Sequence, residues 1–217
     1  MNWQRLRVVA LWTLLAGSLW QFGGAAFIHA KAVLAQTLLR DAWVRTLHGA
    51  RQVQPWPWAD TWPVARLRAP QHAQDLVVLA GASGRTLAFA PGHLLGSATL
   101  EQSGRTVIAG HRDTHFAFLR EIQPGDELQL QDYRGITHHF RVNDTRIVDS
   151  LSTQLTLDGA KELVLVTCYP FDAIRAGGPL RFLVFAAPFE KRAQHNSPQF
   201  GYHRSPIRAA ARKYSRF

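Results

Sequence analysis

Cysteine is almost missing from this chain. Cys168 is the only one in 217 residues. One cysteine excludes an internal disulfide and a zinc site built from several cysteines. Exported cysteines normally pair, so a lone thiol in an exported domain marks a candidate reactive group. Acidic residues are also few, 15 against 25 lysines and arginines, for a formal charge of +10. The excess is uneven. From Glu190 to Phe217 stand Lys191, Arg192, Arg204, Arg208, Arg212, Lys213 and Arg216 against one acid, Glu190, which supplies +6 of that total. The rest of the chain is nearly neutral, which argues against a nucleic-acid groove on a folded body. The tail has few interleaved aromatics (Phe200, Tyr202, Tyr214 and Phe217). It reads as a solvated extension, suited at most to an anionic surface. Internal repeats are not visible, and helix-period segments are scarce after His48.

One long apolar run is present. Val8 to Ile28 carries no charge over 21 residues, with Gln21 its most polar side chain. About 20 apolar residues span a bilayer core as a helix. Arg5 and Arg7 precede the run, which is the pattern of an export signal. Ala30-Lys31-Ala32 offers a cleavage site, but the run is long for a cleaved peptide, so an uncleaved anchor is the expectation. Lys31, Arg40 and Arg45 follow it, so charge counting alone does not orient it. A nucleophile that stays unpaired makes best sense outside the cytoplasm. The expected location is therefore the cytoplasmic membrane, single-pass, with the catalytic domain on the extracytoplasmic or periplasmic side.

The expected organisation has four parts: an anchor and stalk helix over 1–48, a linker over 49–63, a catalytic domain over 64–188 and a basic tail over 189–217. The stalk places Leu34, Thr37, Leu38, Ala42, Arg45 and Thr46 at helical spacing. The linker reads Pro55-Trp56-Pro57-Trp58-Ala59-Asp60-Thr61-Trp62-Pro63. Three prolines in nine residues exclude a regular helix or a central strand. Its tryptophans need an apolar surface, most simply the domain itself. From Val64 the chain reads as mainly β. Candidate strands are 64–67, 76–80, 86–90, 106–109, 127–130, 137–142, 162–167 and 181–187, separated by Gly and Pro turns. Many short strands with frequent turns suggest a sandwich or a barrel. Phe116 to Ile122 suits one helical turn between strands.

Three strand ends carry chemistry. Leu163-Val164-Leu165-Val166-Thr167-Cys168 is an apolar, β-branched run that ends in the thiol. Val107-Ile108-Ala109-Gly110-His111 ends in a histidine, and Arg181 opens Leu180-Arg181-Phe182-Leu183-Val184-Phe185. A thiolate attacks a carbonyl, and an imidazole manages the proton. A guanidinium stays charged and offers fixed donors to an oxyanion. Cys168 and Arg181 are joined by a loop containing Gly177-Gly178-Pro179, so adjacent strands would put both on one rim. Asp113 and Asp172 are the nearby acids that could orient a side chain, although each reads more simply as a loop acid.

These segments resemble the sortase family, the membrane-anchored cysteine transpeptidases of bacterial surfaces. The family's cysteine strand reads T-L-x-T-C, and here Val164 stands where the signature has threonine and Leu165 where it has leucine. Ala109-Gly110-His111-Arg112-Asp113-Thr114-His115-Phe116 is similar to the family's histidine segment. Phe118-Leu119 followed by Pro124-Gly125-Asp126 also resembles it, and Pro55 to Leu67 is similar to the subgroup of Gram-negative bacteria. The resemblance covers about Val64 to Pro188 together with the anchor. It implies a closed eight-stranded β-barrel, with Cys168 as nucleophile, His111 as general acid and base, and Arg181 as the oxyanion and substrate-positioning group. The implied reaction cuts a C-terminal LPxTG-like sorting signal through a thioacyl-enzyme and passes the protein to an amine acceptor. No cofactor and no metal are implied.

Two readings compete. His111, Asp113 and His115 alternate along an extended segment, with His138-His139 later, and could ligate a metal for hydrolysis. A non-enzymatic, membrane-tethered basic binding module is the other. A peptidoglycan cross-linking cysteine transpeptidase fits less well, since its cysteine follows Ser and Gly rather than Val166-Thr167.

Overall fold

The computed structural model describes residues 3–175 and 177–190. The basic tail expected over 189–217 falls almost wholly outside them. A long helix, α1 (Trp3–Leu47), leads into eight strands: β1 (Pro63–Ala69), β2 (Gln74–Ala80), β3 (Gly92–His93), β4 (Arg105–Ala109), β5 (Glu127–Asp132), β6 (Thr137–Asp149), β7 (Glu162–Cys168) and β8 (Leu180–Pro188). They close into a barrel in the order β1-β2-β3-β4-β7-β8-β6-β5. Closure leaves no free sheet edge, which settles the sandwich-or-barrel alternative in favour of the barrel.

Strand alternation builds the barrel. Along β1 every second residue is buried, from Pro63 through Ala65 and Leu67 to Ala69. Leu67, Val78, Ile108, Phe116, Leu119, Leu128, Leu130, Phe140, Leu163, Leu165 and Val184 fill the interior, each 1% exposed or less. Burying one such side chain stabilises by roughly 1.5–3 kcal/mol. A second apolar layer lies outside the sheet. Val107, Val164, Leu183 and Phe185 pack there with Leu155, Leu157, Val166 and Val148. On β7, then, Leu163 and Leu165 point inward while Val164 and Val166 face out.

Two expectations change. Residues 86–90 do not form a strand. A short helix, α2 (Gly84–Leu87), begins there because the Ser83 hydroxyl accepts the Thr86 amide at 3.2 Å. That cap satisfies a free N–H that a helix start leaves open. The eighth strand is instead the two-residue β3, held between β2 and β4. The helical turn over 116–122 is present, as a 3-10 turn at Ala117–Arg120.

The stalk is helical through Leu47, and the structure sets its packed face: Ala35, Leu39, Ala42, Trp43 and Thr46 are buried, whereas Leu34 is 58% exposed. Leu39 and Trp43 lie on Val77 and Leu79 of β2. Gln36 Nε2 donates to the Phe89 carbonyl at 2.7 Å. Trp56 of the linker meets the Phe89 ring at 4.7 Å, as expected for packing on the domain, but Trp58 is 82% exposed. Among the described residues no helix is long and apolar enough to cross a membrane. The transmembrane part of the expectation is therefore not met there. Thr13, Gly17, Ser18, Gln21 and Gly24 dilute the apolar run.

Candidate active site

Cys168 is the last residue of β7 and is half-buried. It follows Val164 and Val166 on the outer face, because side chains alternate along a strand. Arg181, near the start of β8, is its direct antiparallel partner. Opposed residues of an antiparallel pair share a face, with Cβ atoms about 4.5–5.5 Å apart. On the other side runs β4, parallel to β7, with Ala109 beside Val166. The chain leaves β4 after Ala109, and His111 follows two residues later at the same end of the barrel as Cys168. The thiol therefore has Arg181 opposite it on β8, and the histidine segment leaves the adjoining end of β4 on its other side. Cys168 and Arg181 share the outer face at this end of the barrel.

Local bonds continue the β4–β7 register past the last ladder residue. The Gly110 amide donates to the Val166 carbonyl at 3.0 Å. The buried Thr167 hydroxyl donates to the Gly110 carbonyl at 2.8 Å. The Phe116 amide donates back to the His111 carbonyl at 3.0 Å. Gly110 has to be glycine, since a Cβ there would lie 2.7 Å from the Phe116 ring. The Arg181 guanidinium donates to the carbonyls of Gly178 at 2.6 Å and Leu180 at 2.9 Å, through one nitrogen. Those bonds hold the side chain at the start of its strand.

Arg112, the residue after the histidine, was not singled out in the sequence. It is 6% exposed. Its guanidinium donates to the carbonyls of Pro170 (2.7 Å), Ala173 (2.7 Å) and Arg175 (3.1 Å), all in the loop that leaves Cys168. Its Nε donates to Asp113 at 3.2 Å, so Asp113 pairs with arginine rather than standing free to orient His111. Arg120 adds a bond to the Phe171 carbonyl at 3.0 Å. No sequence signal separates Arg112 from a surface arginine, because the carbonyls it meets lie more than 50 residues away.

The alternating residues of the metal reading do not assemble a site. Burial, followed by the positive charge of His111 nearby, pushes the His115 imidazole below its usual range, against a bond to the Phe89 backbone that raises it. His138 lies 3.4 Å from Asp132 and His139 2.9 Å from Glu127, on β6 and β5, two strands that touch neither β4 nor β7. Among the described residues no group of three His, Cys, Asp or Glu side chains could hold a metal.

A family model described as the sortase domain matches residues 67–189. The chain belongs to the sortase family. It is 34% identical over 122 residues to Sortase D of Bacillus subtilis (strain 168), covering 55% of this chain and 60% of that protein. The match thus spans less than two thirds of that relative's length. Among solved structures, Sortase A from Corynebacterium diphtheriae superposes with a TM-score of 0.55 at 22% identity, over 76% of this chain and 87% of that one. A Clostridium perfringens Sortase D5 transpeptidase gives 0.57 at 18% identity, over 73% and 99%. At these identities the superpositions carry the fold, a mainly β, closed eight-stranded sortase barrel.

Proposed function

We propose that this sortase is a cysteine transpeptidase that acts on a protein bearing a C-terminal sorting signal of LPxTG-like type. The observation that carries the reading is the pairing of Cys168 with Arg181 across β7 and β8, with the His111 segment leaving the adjoining end of β4. The thiolate sulfur bonds to the carbonyl carbon of the scissile peptide. Charge builds on the carbonyl oxygen, where the Arg181 guanidinium is the fixed donor. The C–N bond then breaks, and the imidazolium of His111 gives its proton to the leaving amine. A thioacyl-enzyme remains. An amine acceptor attacks it, passes its proton to His111, and the thiolate departs.

The test is intact-mass spectrometry of the full chain incubated with candidate C-terminal peptides. The expected result is an acyl adduct on Cys168 that an added amine discharges. No adduct with any peptide, alongside cleavage that survives Cys168→Ala, would sink the reading.

Membrane tethering and an extracytoplasmic catalytic domain belong to the same proposal. Val8, Leu11, Leu14, Leu19 and Trp20 of α1 are 51%, 66%, 68%, 65% and 83% exposed. Exposed apolar side chains in such number suit a lipid surface better than water. Gln36 meets Phe89, the residue whose backbone also bonds His115, so α1 passes close to the histidine segment. Orientation rests on the lone nucleophile suiting the outer side. Cell fractionation with external protease checks both: the chain should pellet with membranes, and the barrel should be cleaved from outside. The Gram-negative subgroup is part of this reading, supported by the Trp- and Pro-rich linker.

A further inference from the structure

The loop that follows Cys168 is held by side chains from the histidine segment. Cys168 ends its strand, and the chain then leaves through a loop from Tyr169 to Pro179 before returning at Leu180. Between Tyr169 and Arg175 this loop has few backbone bonds of its own: Tyr169 bonds Leu180 at 3.1 Å, and the Ala173 amide reaches Pro170 at 3.4 Å. Its carbonyls are held instead by arginines of the histidine segment. Arg112 bridges three of them, at Pro170, Ala173 and Arg175. Arg120 takes a fourth, at Phe171, and its guanidinium carbon lies 5.7 Å from the Phe171 ring centre.

A buried guanidinium must have its donors met, or its charge is left uncompensated. Here only Asp113, itself largely exposed, offers a carboxylate. Backbone carbonyls of one loop do the rest. Such a fork is planar and spaced for several acceptors at once, which an ammonium is not. Arg112 is also covalently next to His111. A movement of the loop therefore moves the histidine, and the reverse.

We propose that Arg112, assisted by Arg120, is a positioning residue that locks the loop after Cys168 onto the histidine segment and so sets the separation of thiol and imidazole. The inference rests on the transpeptidase reading for its meaning, but one of its readouts does not. Misplacing reacting groups by about 1 Å can cost about 10²-fold in rate.

The experiment uses the full chain with Arg112→Lys and Arg120→Ala. The first readout is the rate of Cys168 alkylation by iodoacetamide across pH 5–9, which needs no peptide substrate. The second is kcat and KM on a sorting peptide. Thermal melts check folding. The expected result for Arg112→Lys is a fall in kcat of about tenfold or more with KM nearly unchanged, as for a displaced reacting group. Its alkylation rate departs from the wild-type profile, because the loop that follows the thiol is no longer held in place. Arg120→Ala shifts both readouts the same way by less. An arginine that only holds the fold together would lower the melting temperature and leave the alkylation profile in place. Wild-type kcat and a wild-type alkylation profile in a folded Arg112→Lys would overturn the proposal. If Arg112→Lys does not fold, the exposed Arg120→Ala decides, and an unchanged profile there overturns it. Should the wild-type chain process no sorting peptide, the transpeptidase reading fails while the alkylation profiles still judge the clamp.

Discussion

The two ends of the barrel are built on opposite plans. At one end Cys168, His111 and Arg181 are half-buried or exposed, in a backbone braced by bonds to carbonyls. At the other end a cavity of about 520 Å³ opens among Pro63, Ala65, Ile108, Leu130 and the end of α1 at Thr46. Cys168, His111 and Arg181 do not line that apolar space. Nearby, Asp132 is 3% exposed and acts as a hub. Its Oδ1 accepts the amides of Arg134 and Ile136, both at 2.9 Å, and its Oδ2 accepts Arg134 at 2.7 Å. Burial would raise its pKa, but the bond from Arg134, those two amides and His138 win and hold it below the usual carboxylate range. The difference separates reactivity from stability. Reactive groups are kept near solvent and fixed by their backbone, while a satisfied buried charge secures the strand ends that do no chemistry.

Mutations should divide along that line. Cys168→Ala is expected to abolish acyl transfer and adduct formation while the melting temperature hardly moves; residual transfer would break the comparison at its root. Arg181→Lys keeps the charge but loses the planar fork, so kcat/KM should fall by about 10²-fold, the scale of losing one oxyanion donor. Full activity in that variant would make the arginine merely structural. At the far end, Asp132→Asn should leave kcat/KM intact and cost about 2 kcal/mol of stability at pH 7, from lost bonds to charged and backbone donors. The pH dependence carries a definite sign. A carboxylate lowered in the folded state stabilises above its unfolded value of 3.8 and loses that contribution as pH falls through the folded value. Urea unfolding at pH 7 and pH 3 should therefore show the wild-type advantage over Asp132→Asn shrinking at the acid end. The smallest effect belongs to His115. Its folded pKa lies below the ordinary histidine value of 6.5, so its contribution is fully present above pH 6.5 and fades as pH falls further. His115→Gln should flatten the acid limb of the melting temperature between pH 7.5 and 5; an identical limb would remove His115 from the linkage.

How much was legible follows from range. The run into Cys168 and the run into Gly110-His111 are local signals, and both became strand ends where the sequence placed them. Local signals failed where a cap outweighed strand propensity, at Ser83 before Gly84–Leu87. They did not reach the rotation of α1 about its axis, which docking sets by burying Ala35, Leu39 and Trp43. Arg112 could not be picked out at all, because its partners at Pro170, Ala173 and Arg175 are distant in sequence. The Asp132 hub was missed too: its strand-end acid looks like any turn residue until Arg134 and Ile136 fold back onto it.

The sequence by itself determined a mainly β domain, a lone thiol closing a β-branched strand, and the histidine and arginine that open or close two others. These follow from side-chain alternation and turn chemistry, which act over a few residues. Only the tertiary structure decided that β4 and β8 are the neighbours of β7, that Cys168 and Arg181 stand opposite each other, and that a buried guanidinium ties the two loops together. Strand order and long-range hydrogen bonds come from barrel closure and core packing, which join residues that are remote along the chain.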